Sequence, residues 1–268
     1  MPAVTPDPSR LAVSGAGGRV GRLLRAVWGA GPAWHVRSDG PLAPAIGGRD
    51  TLICLAGVTS GDAAALAGNT AAALDALEAA RTAGVARVLL MSSSAIYGRA
   101  HGPLTEDRPA SPANAYGAAK HGMERAAAAW RSANPDGPEV ICLRLGNVAG
   151  ADALLGRLGA APPRLDIFPD GRGPRRNYIG PVTIARTLAA LSAHPGPLPC
   201  VLNLGAPGLV DMADLLRAAR RDWEAVPAPE TALPEVALDT TRLAGIVPLD
   251  PATATPATLI AEWREATA

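Results

Sequence analysis

Gly15-Ala16-Gly17-Gly18-Arg19-Val20-Gly21 stands between a short apolar run, Leu11-Ala12-Val13, and a segment of helical pattern over residues 18–29. A glycine pattern is common, but one placed where a strand turns into a helix has a physical job. The first glycine allows a tight turn, the second lets backbone approach a pyrophosphate, and the third permits close helix packing. The phosphates would then face the helix N-terminus, where unpaired N–H groups favour an anion. Gly15, Gly18, Arg19, Val20 and Gly21 are therefore candidate cofactor contacts. A glycine-rich turn with no ligand has the same local sequence, so the residues downstream must decide.

Working outward, short apolar runs alternate with amphipathic or Ala-rich segments, the pattern of a doubly wound parallel sheet. Strands are expected at residues 11–13, 34–37, 51–55, 86–91 and 140–145, the fourth running into Ser92-Ser93-Ser94. Helices are expected near residues 62–83 and 114–132. From Gly146 to Arg176 the chain turns rich in Gly, Pro and Arg, as a loop-built lobe would. Helices near 181–193, 211–223 and 255–265 and a strand at 200–204 follow. The expected organisation is a Rossmann-like α/β region over 1–150 and a small C-terminal substrate lobe over 151–268, interleaved with the last sheet elements.

Composition sets outer bounds. The 268 residues carry a net charge of +1, so no cationic excess points to nucleic acid. No apolar stretch approaches the roughly 20 residues of a membrane span, and the Pro-rich start lacks the apolar core of a signal peptide. A cytoplasmic protein is the expectation. Cys54, Cys142 and Cys200 lie in apolar, strand-like runs and read as buried thiols, and the four histidines show no ligand spacing, so no metal site is expected.

Tyr116-Gly117-Ala118-Ala119-Lys120 puts a phenol and an amine one helical turn apart on one face. Moving a hydride to or from a carbon that bears a hydroxyl also requires moving the hydroxyl proton. A phenol near its ordinary value of about 10 is a poor base at neutral pH. A lysine ammonium within about 4–6 Å would favour the phenolate, while Ser93 would hold the substrate oxygen by a hydrogen bond.

With these motifs assembled, the chain resembles the extended short-chain dehydrogenase/reductase family, also called the NAD-dependent epimerase/dehydratase family. The matching stretches are SGAGGRVG (14–21), DTLICLAG (50–57), NTAAALDALEAARTAGVARVLLMSSSAIYG (69–98), NAYGAAK (114–120), LRLGNVAG (143–150), GRGPRRNYI (171–179) and VLNLGAPG (201–208). The resemblance implies a catalytic set of Ser93, Tyr116 and Lys120, with Asn69 in support, and cofactor contacts at Leu55, Ala56 and Gly57 besides Tyr116 and Lys120. For Asn69 a capping or packing role is equally open. The resemblance further implies substrate contacts at Ser94 and Asn147 and places Arg172 and Arg176 toward a diphosphate. Ser94 and Ala95 stand where sugar dehydratases carry an acidic pair, which disfavours elimination of water and leaves reduction or epimerisation.

One departure and one open choice bear on the ligands. Between Arg37 and Asp50 only about a dozen residues stand where the family threads a third strand and a helix, so that strand is expected to be lost and the adenine pocket reduced. For the cofactor ribose, Asp39 would suit a 2′-hydroxyl, whereas Arg37 and Ser38, closer to the strand end, would take a 2′-phosphate; NADP is favoured over NAD. The expected function is an NAD(P)-dependent oxidoreductase or epimerase acting on a hydroxyl or ketone carbon of a nucleotide sugar or related carbohydrate. A dinucleotide-binding regulator or redox sensor without turnover is the alternative. The partners implied are a small-molecule substrate and a second copy of the chain, paired through the Ala-rich helices into a homodimer.

Overall fold

β1 (Leu11–Ser14) runs into the glycine loop and α1 (Arg19–Trp28) leaves it, and the remaining sheet elements repeat that alternation. The computed structural model describes residues 7–159 and 161–268; the first six residues of the Pro-rich start lie outside the described part. β2 (Ala33–His35), α2 (Leu42–Ala45), β3 (Thr51–Cys54), α3 (Ala63–Ala83), β4 (Arg87–Ser93), α4 (Ala115–Ala133) and β5 (Glu139–Leu145) follow in order. Beyond Leu145 come short pieces: β6 (Asn147–Val148), β7 (Arg164–Ile167), β8 (Arg175–Arg176), β9 (Tyr178–Ile179), α5 (Pro181–Ser192) and β10 (Val201–Leu204). The chain closes with β11 (Val210–Asp211), α6 (Met212–Ala219), β12 (Glu224–Pro227), β13 (Glu235–Val236), α7 (Thr241–Ala244) and α8 (Pro256–Glu265).

Six strands make one parallel sheet in the order β10-β5-β4-β3-β1-β2. Alternation along each strand divides two apolar layers. Val13, Ile53, Leu89, Ile141 and Leu143 pack with Leu24 of α1 and Ile184 and Leu188 of α5. Ala12, Leu52, Val88, Leu90 and Val140 pack against Ala73, Ala76 and Leu77 of α3 and Met123 and Ala127 of α4. Both faces are covered, so β3 is buried at every position, as strands sealed between helix layers are. Each large aliphatic side chain so buried contributes about 1.5–3 kcal/mol.

The order reverses beside β1, and ligands of such sheets bind outside the strand C-termini at that switch point. Ser14, Cys54 and Ser93 end their strands there. β10 and α5, though they come late in the chain, return to this sheet and its α1 layer. The other late strands form small ladders, β11-β8-β13, β12-β7 and β6-β9.

Two expectations of element bounds are corrected, and the expected loss of a strand is seen. The second strand ends at His35, because Val36 opens a 3-10 turn over Arg37–Asp39. The helix expected over 211–223 stops at Ala219, where Arg220 adopts a left-handed backbone with φ of 57°. Residues 37–50 form that 3-10 turn and the four-residue α2, with no strand among them, which leaves β2 at the sheet edge. No helix among the described residues is long and apolar enough to cross a membrane.

Candidate active site

Gly15 has φ of +76°, and a Cβ there would meet the Ala56 amide nitrogen at 2.5 Å. A Cβ at Gly21 would meet the Ala16 carbonyl oxygen at 2.6 Å. The first glycine thus lets the loop pass over the end of β3, and the third lets α1 sit against the loop. Gly18 is the N-cap of α1 and offers no side-chain cap, so the first amides of the helix stay available to an anion.

Two cavities meet at this loop. One, of about 290 Å³, is lined by Gly15, Gly18, Arg19, Val20 and Gly21 and continues past Leu55 and Gly57 to Ser93, Tyr116, Lys120 and Asn147. The other, of about 880 Å³, shares Gly15, Gly18, Leu55 and Gly57 and extends past Ala56 to Arg37 and along α3. Together they form a trough with a backbone-lined middle and side-chain-lined ends, the shape a dinucleotide needs. The expected loss of the third strand shows at the base end. The shortened connection leaves that end open beside Gly68, Ala72 and Asp75 of α3.

The catalytic candidates reach one cavity from two elements. Ser93 ends β4 and caps the 3-10 turn Ser94–Tyr97, its Oγ accepting from the Ala95 amide at 3.2 Å. Asn114 caps α4, its side chain accepting from the Gly117 amide at 2.8 Å, and so places Tyr116 and Lys120 in the first two turns. Gly117 carries no side chain because a Cβ would lie 2.4 Å from the Ala95 carbonyl; α4 is pressed against the turn that carries Ser93.

The electrostatics differ from the expected pairing. Burial pushes the Tyr116 phenol up from its ordinary value, against the opposing pull of Ser93 and of the Arg19 guanidinium. Lys120 is turned inward. Its Nζ donates to the Met91 carbonyl at 2.9 Å, and burial pulls its ammonium below the ordinary lysine value. Arg19 Nη1 donates to the Asp152 carbonyl at 3.0 Å, spanning from the glycine loop to the opposite wall. Asp152 itself is held by the Tyr178 hydroxyl, which donates to Oδ2 at 2.7 Å, and by the Leu154 and Leu155 amides.

Asn69 is fully buried under Gly57. Its Nδ2 donates to the Val58 and Leu66 carbonyls, while its Oδ1 has no partner. A Cβ at Gly57 would lie 2.5 Å from Asn69 Oδ1 and 3.1 Å from Lys120 Nζ, so these two polar groups converge on one backbone glycine.

Other expected contacts lie elsewhere. The Asp39 carboxylate folds back to accept the Val36 amide at 2.9 Å and lines neither cavity. Ser94 starts the 3-10 turn and is not on the cavity wall. Arg172 lines a separate surface hollow with Arg175 and Arg217. Arg176 donates to the Leu233 carbonyl at 2.9 Å and the Arg175 carbonyl at 2.7 Å, and burial lowers its guanidinium from the ordinary value. Cys54 and Cys142 are buried, but Cys200, one residue before the edge strand β10, is exposed. Thr59, Met91, Asp152 and Met212 line the smaller cavity and were not singled out from the sequence. One compositional signal bears on the site: Lys120 is the only lysine in a chain with 25 basic residues.

Comparison with known proteins follows this geometry. The model of the NAD dependent epimerase/dehydratase family matches residues 46–161. Over this segment the chain is similar to that family. The matched segment holds Ser93, Tyr116 and Lys120, while the glycine loop lies ahead of it. The UDP-glucose 4-epimerase of Azospirillum brasilense is 41% identical over 96 residues, 35% of this chain and 27% of that protein. That of Neisseria gonorrhoeae is 33% identical over 165 residues, 51% of this chain and 48% of its own length. The chain thus spans about a quarter to a half of the length of these curated relatives. Among solved structures, an NAD-dependent NDP-hexosamine 5,6-dehydratase, TunA, gives a TM-score of 0.74 at 23% identity over 95% of this chain and 97% of its own. The UDP-N-acetylglucosamine 4-epimerase of Methanobrevibacter ruminantium gives 0.76 at 17% identity over 96% and 98%. MoeE5, solved with UDP-glucuronic acid and NAD, gives 0.72 at 21% identity over 96% and 99%. These structural likenesses carry the shared α/β fold across nearly the whole chain.

Proposed function

We propose that the protein is an NAD(P)-dependent oxidoreductase or epimerase acting on a hydroxyl or ketone carbon of a nucleotide sugar. The observation that carries this reading is the convergence of Ser93, Tyr116 and Lys120 on the end of a trough that begins at an uncapped, glycine-lined helix N-terminus. The residues fit a dinucleotide: the loop amides and Arg19 hold its pyrophosphate, and Leu55, Ala56 and Gly57 border it. When bound, the dinucleotide supplies hydride acceptance and return.

The chain's own groups handle the proton. Tyr116 exchanges it at the phenol oxygen, and Ser93 donates a hydrogen bond to the same substrate oxygen. Burial pushes the phenol up, and the groups that pull it back down toward a usable value are Ser93 and the Arg19 guanidinium. Asn147 and Arg19 face the space beside Tyr116, where a sugar ring would lie. Relatives named UDP-glucose 4-epimerase and the sugar nucleotides bound by structural neighbours support this substrate class.

At the base end Arg37 borders the cavity while the Asp39 carboxylate is spent on its own turn. A guanidinium there suits a 2′-phosphate, which supports NADP over NAD. The exposed small residues of α3 and α4, among them Ala71, Ala118 and Gly122, support a homodimer through these helices. A monomer in sedimentation at micromolar concentration contradicts it.

The deciding experiment follows conversion of a panel of nucleotide hexoses with NAD or NADP. Conversion by the wild type and its loss in Tyr116→Phe, with dinucleotide binding kept, is the expected result. Dinucleotide binding with no conversion of any panel member contradicts the enzymatic reading.

A further inference from the structure

Behind the cavity lies a buried polar chain in which every donor has a partner. Glu124, one helical turn beyond Lys120 on α4, accepts from the Ser92 hydroxyl at 2.6 Å and from Arg144 Nη2 at 2.8 Å. Arg144, on β5, donates through Nη1 to the Tyr97 hydroxyl and the Glu106 carbonyl, each at 3.0 Å. The Tyr97 hydroxyl donates to Asn203 Oδ1 on β10 at 2.8 Å. One carboxylate therefore clamps α4, which carries Tyr116 and Lys120, to the end of β4, which carries Ser93. Glu124 does not line the active-site cavity, so it acts without touching substrate.

Its charge also stands near Lys120. The groups that favour the Lys120 ammonium are Cys54 on β3, Cys142 on β5 and Glu124 on its own helix. Burial pushes the Cys54 thiol up and raises Cys142 to about 12, so both are neutral across the working range. The carboxylate is then the one anion of the three. On its outer side Glu124 borders a groove with His121, Arg125 and Arg131 of α4 and Arg108 of the loop before it, with Arg144 on β5.

We propose that Glu124 is a positioning residue of this site, its carboxylate fixing Ser93 through Ser92 and holding a negative charge one helical turn from Lys120. This rests on the catalytic reading of Ser93, Tyr116 and Lys120, and its test is chosen to separate the two. Because Lys120 is the only lysine, protein grown on 13Cε-labelled lysine carries a single reporter of that ammonium. Glu124→Gln alone leaves the Arg144 guanidinium buried without a counter-ion, so the pair is removed together as Glu124→Gln/Arg144→Gln.

The Lys120 titration midpoint of the double variant is expected to fall by about half a pH unit or more. Its kcat is expected to fall about tenfold or more, the alkaline limb of the rate profile moving to lower pH, with dinucleotide KM within about twofold. Ser92→Ala cuts one link and no charge. It is expected to lower kcat several-fold while the Lys120 midpoint stays in place. A folded double variant with wild-type midpoint and kcat overturns the proposal. If the double variant does not fold, unchanged kcat in Ser92→Ala overturns the positioning role. The lysine signal needs no turnover, so a wild type inactive on every nucleotide sugar strikes the functional reading and leaves the Lys120 midpoint to decide this one.

Discussion

The two ends of the trough are built on different principles. At the catalytic end, Ser93, Tyr116 and Lys120 stand on a strand end and a helix clamped by buried groups, with Gly117 against Ala95 and Glu124 between Ser92 and Arg144. At the base end, residues 37–50 make one 3-10 turn and a four-residue helix, and Arg37 is exposed beside an open groove. Chemistry tolerates little displacement, since a misplacement of about 1 Å can cost 10²-fold in rate. Affinity for a cofactor's distal base tolerates more. The lost strand therefore falls where its removal costs binding energy rather than alignment.

The sharpest way to break this contrast is at the catalytic end. Tyr116→Phe is expected to lower kcat by about 10²–10⁴-fold while dinucleotide affinity by fluorescence titration changes by less than about twofold. Equal losses in both would move Tyr116 from chemistry to binding. Next is the middle of the trough. Gly15→Ala forces a Cβ onto the Ala56 amide at positive φ and is expected to cost about 1–3 kcal/mol of stability in urea unfolding and to abolish dinucleotide binding. At the base end, Arg37→Ala is expected to weaken NADP about tenfold and leave NAD nearly unchanged, measured by competitive titration. Equal effects on both cofactors contradict the 2′-phosphate assignment.

A subtler difference lies in pH. The folded state holds Lys120 below its ordinary value of 10.5, so between those two values the unfolded chain binds more protons and wild-type stability rises with pH. Lys120→Met lacks this dependence. The stability of the wild type relative to that variant is expected to grow from pH 7 toward pH 10, read by urea unfolding at each pH. The smallest effect is expected at Asp39. Asp39→Ala should cost about 0.5–1 kcal/mol through the lost turn contact and leave NAD affinity unchanged.

The catalytic end was legible because its signals are local. A glycine loop between strand and helix, a serine at a strand end and a phenol four residues before an amine are each short-range patterns, and the elements that carry them formed close to their expected bounds. The base end differs from expectation in two places: the strand ends at His35, and Asp39 caps its own turn instead of facing a ribose. Nothing in the spacing distinguishes these outcomes, because an Asx-type turn and a ribose contact use the same carboxylate. Arg172 and Arg176 were placed by resemblance, and their positions depend on how the small ladders of the lobe pair over long sequence separations. The inward turn of Lys120 onto Met91 and the Glu124–Arg144 clamp are likewise products of tertiary packing.

The proposed function requires one ligand to span the trough with its reactive ring against Ser93 and Tyr116. A crystal structure with NADP tests it most directly. The pyrophosphate is expected on the Gly15–Gly21 loop, the 2′-phosphate beside Arg37, and the nicotinamide within contact of Tyr116. A dinucleotide bound away from this loop, or one whose nicotinamide points away from Tyr116, would contradict it.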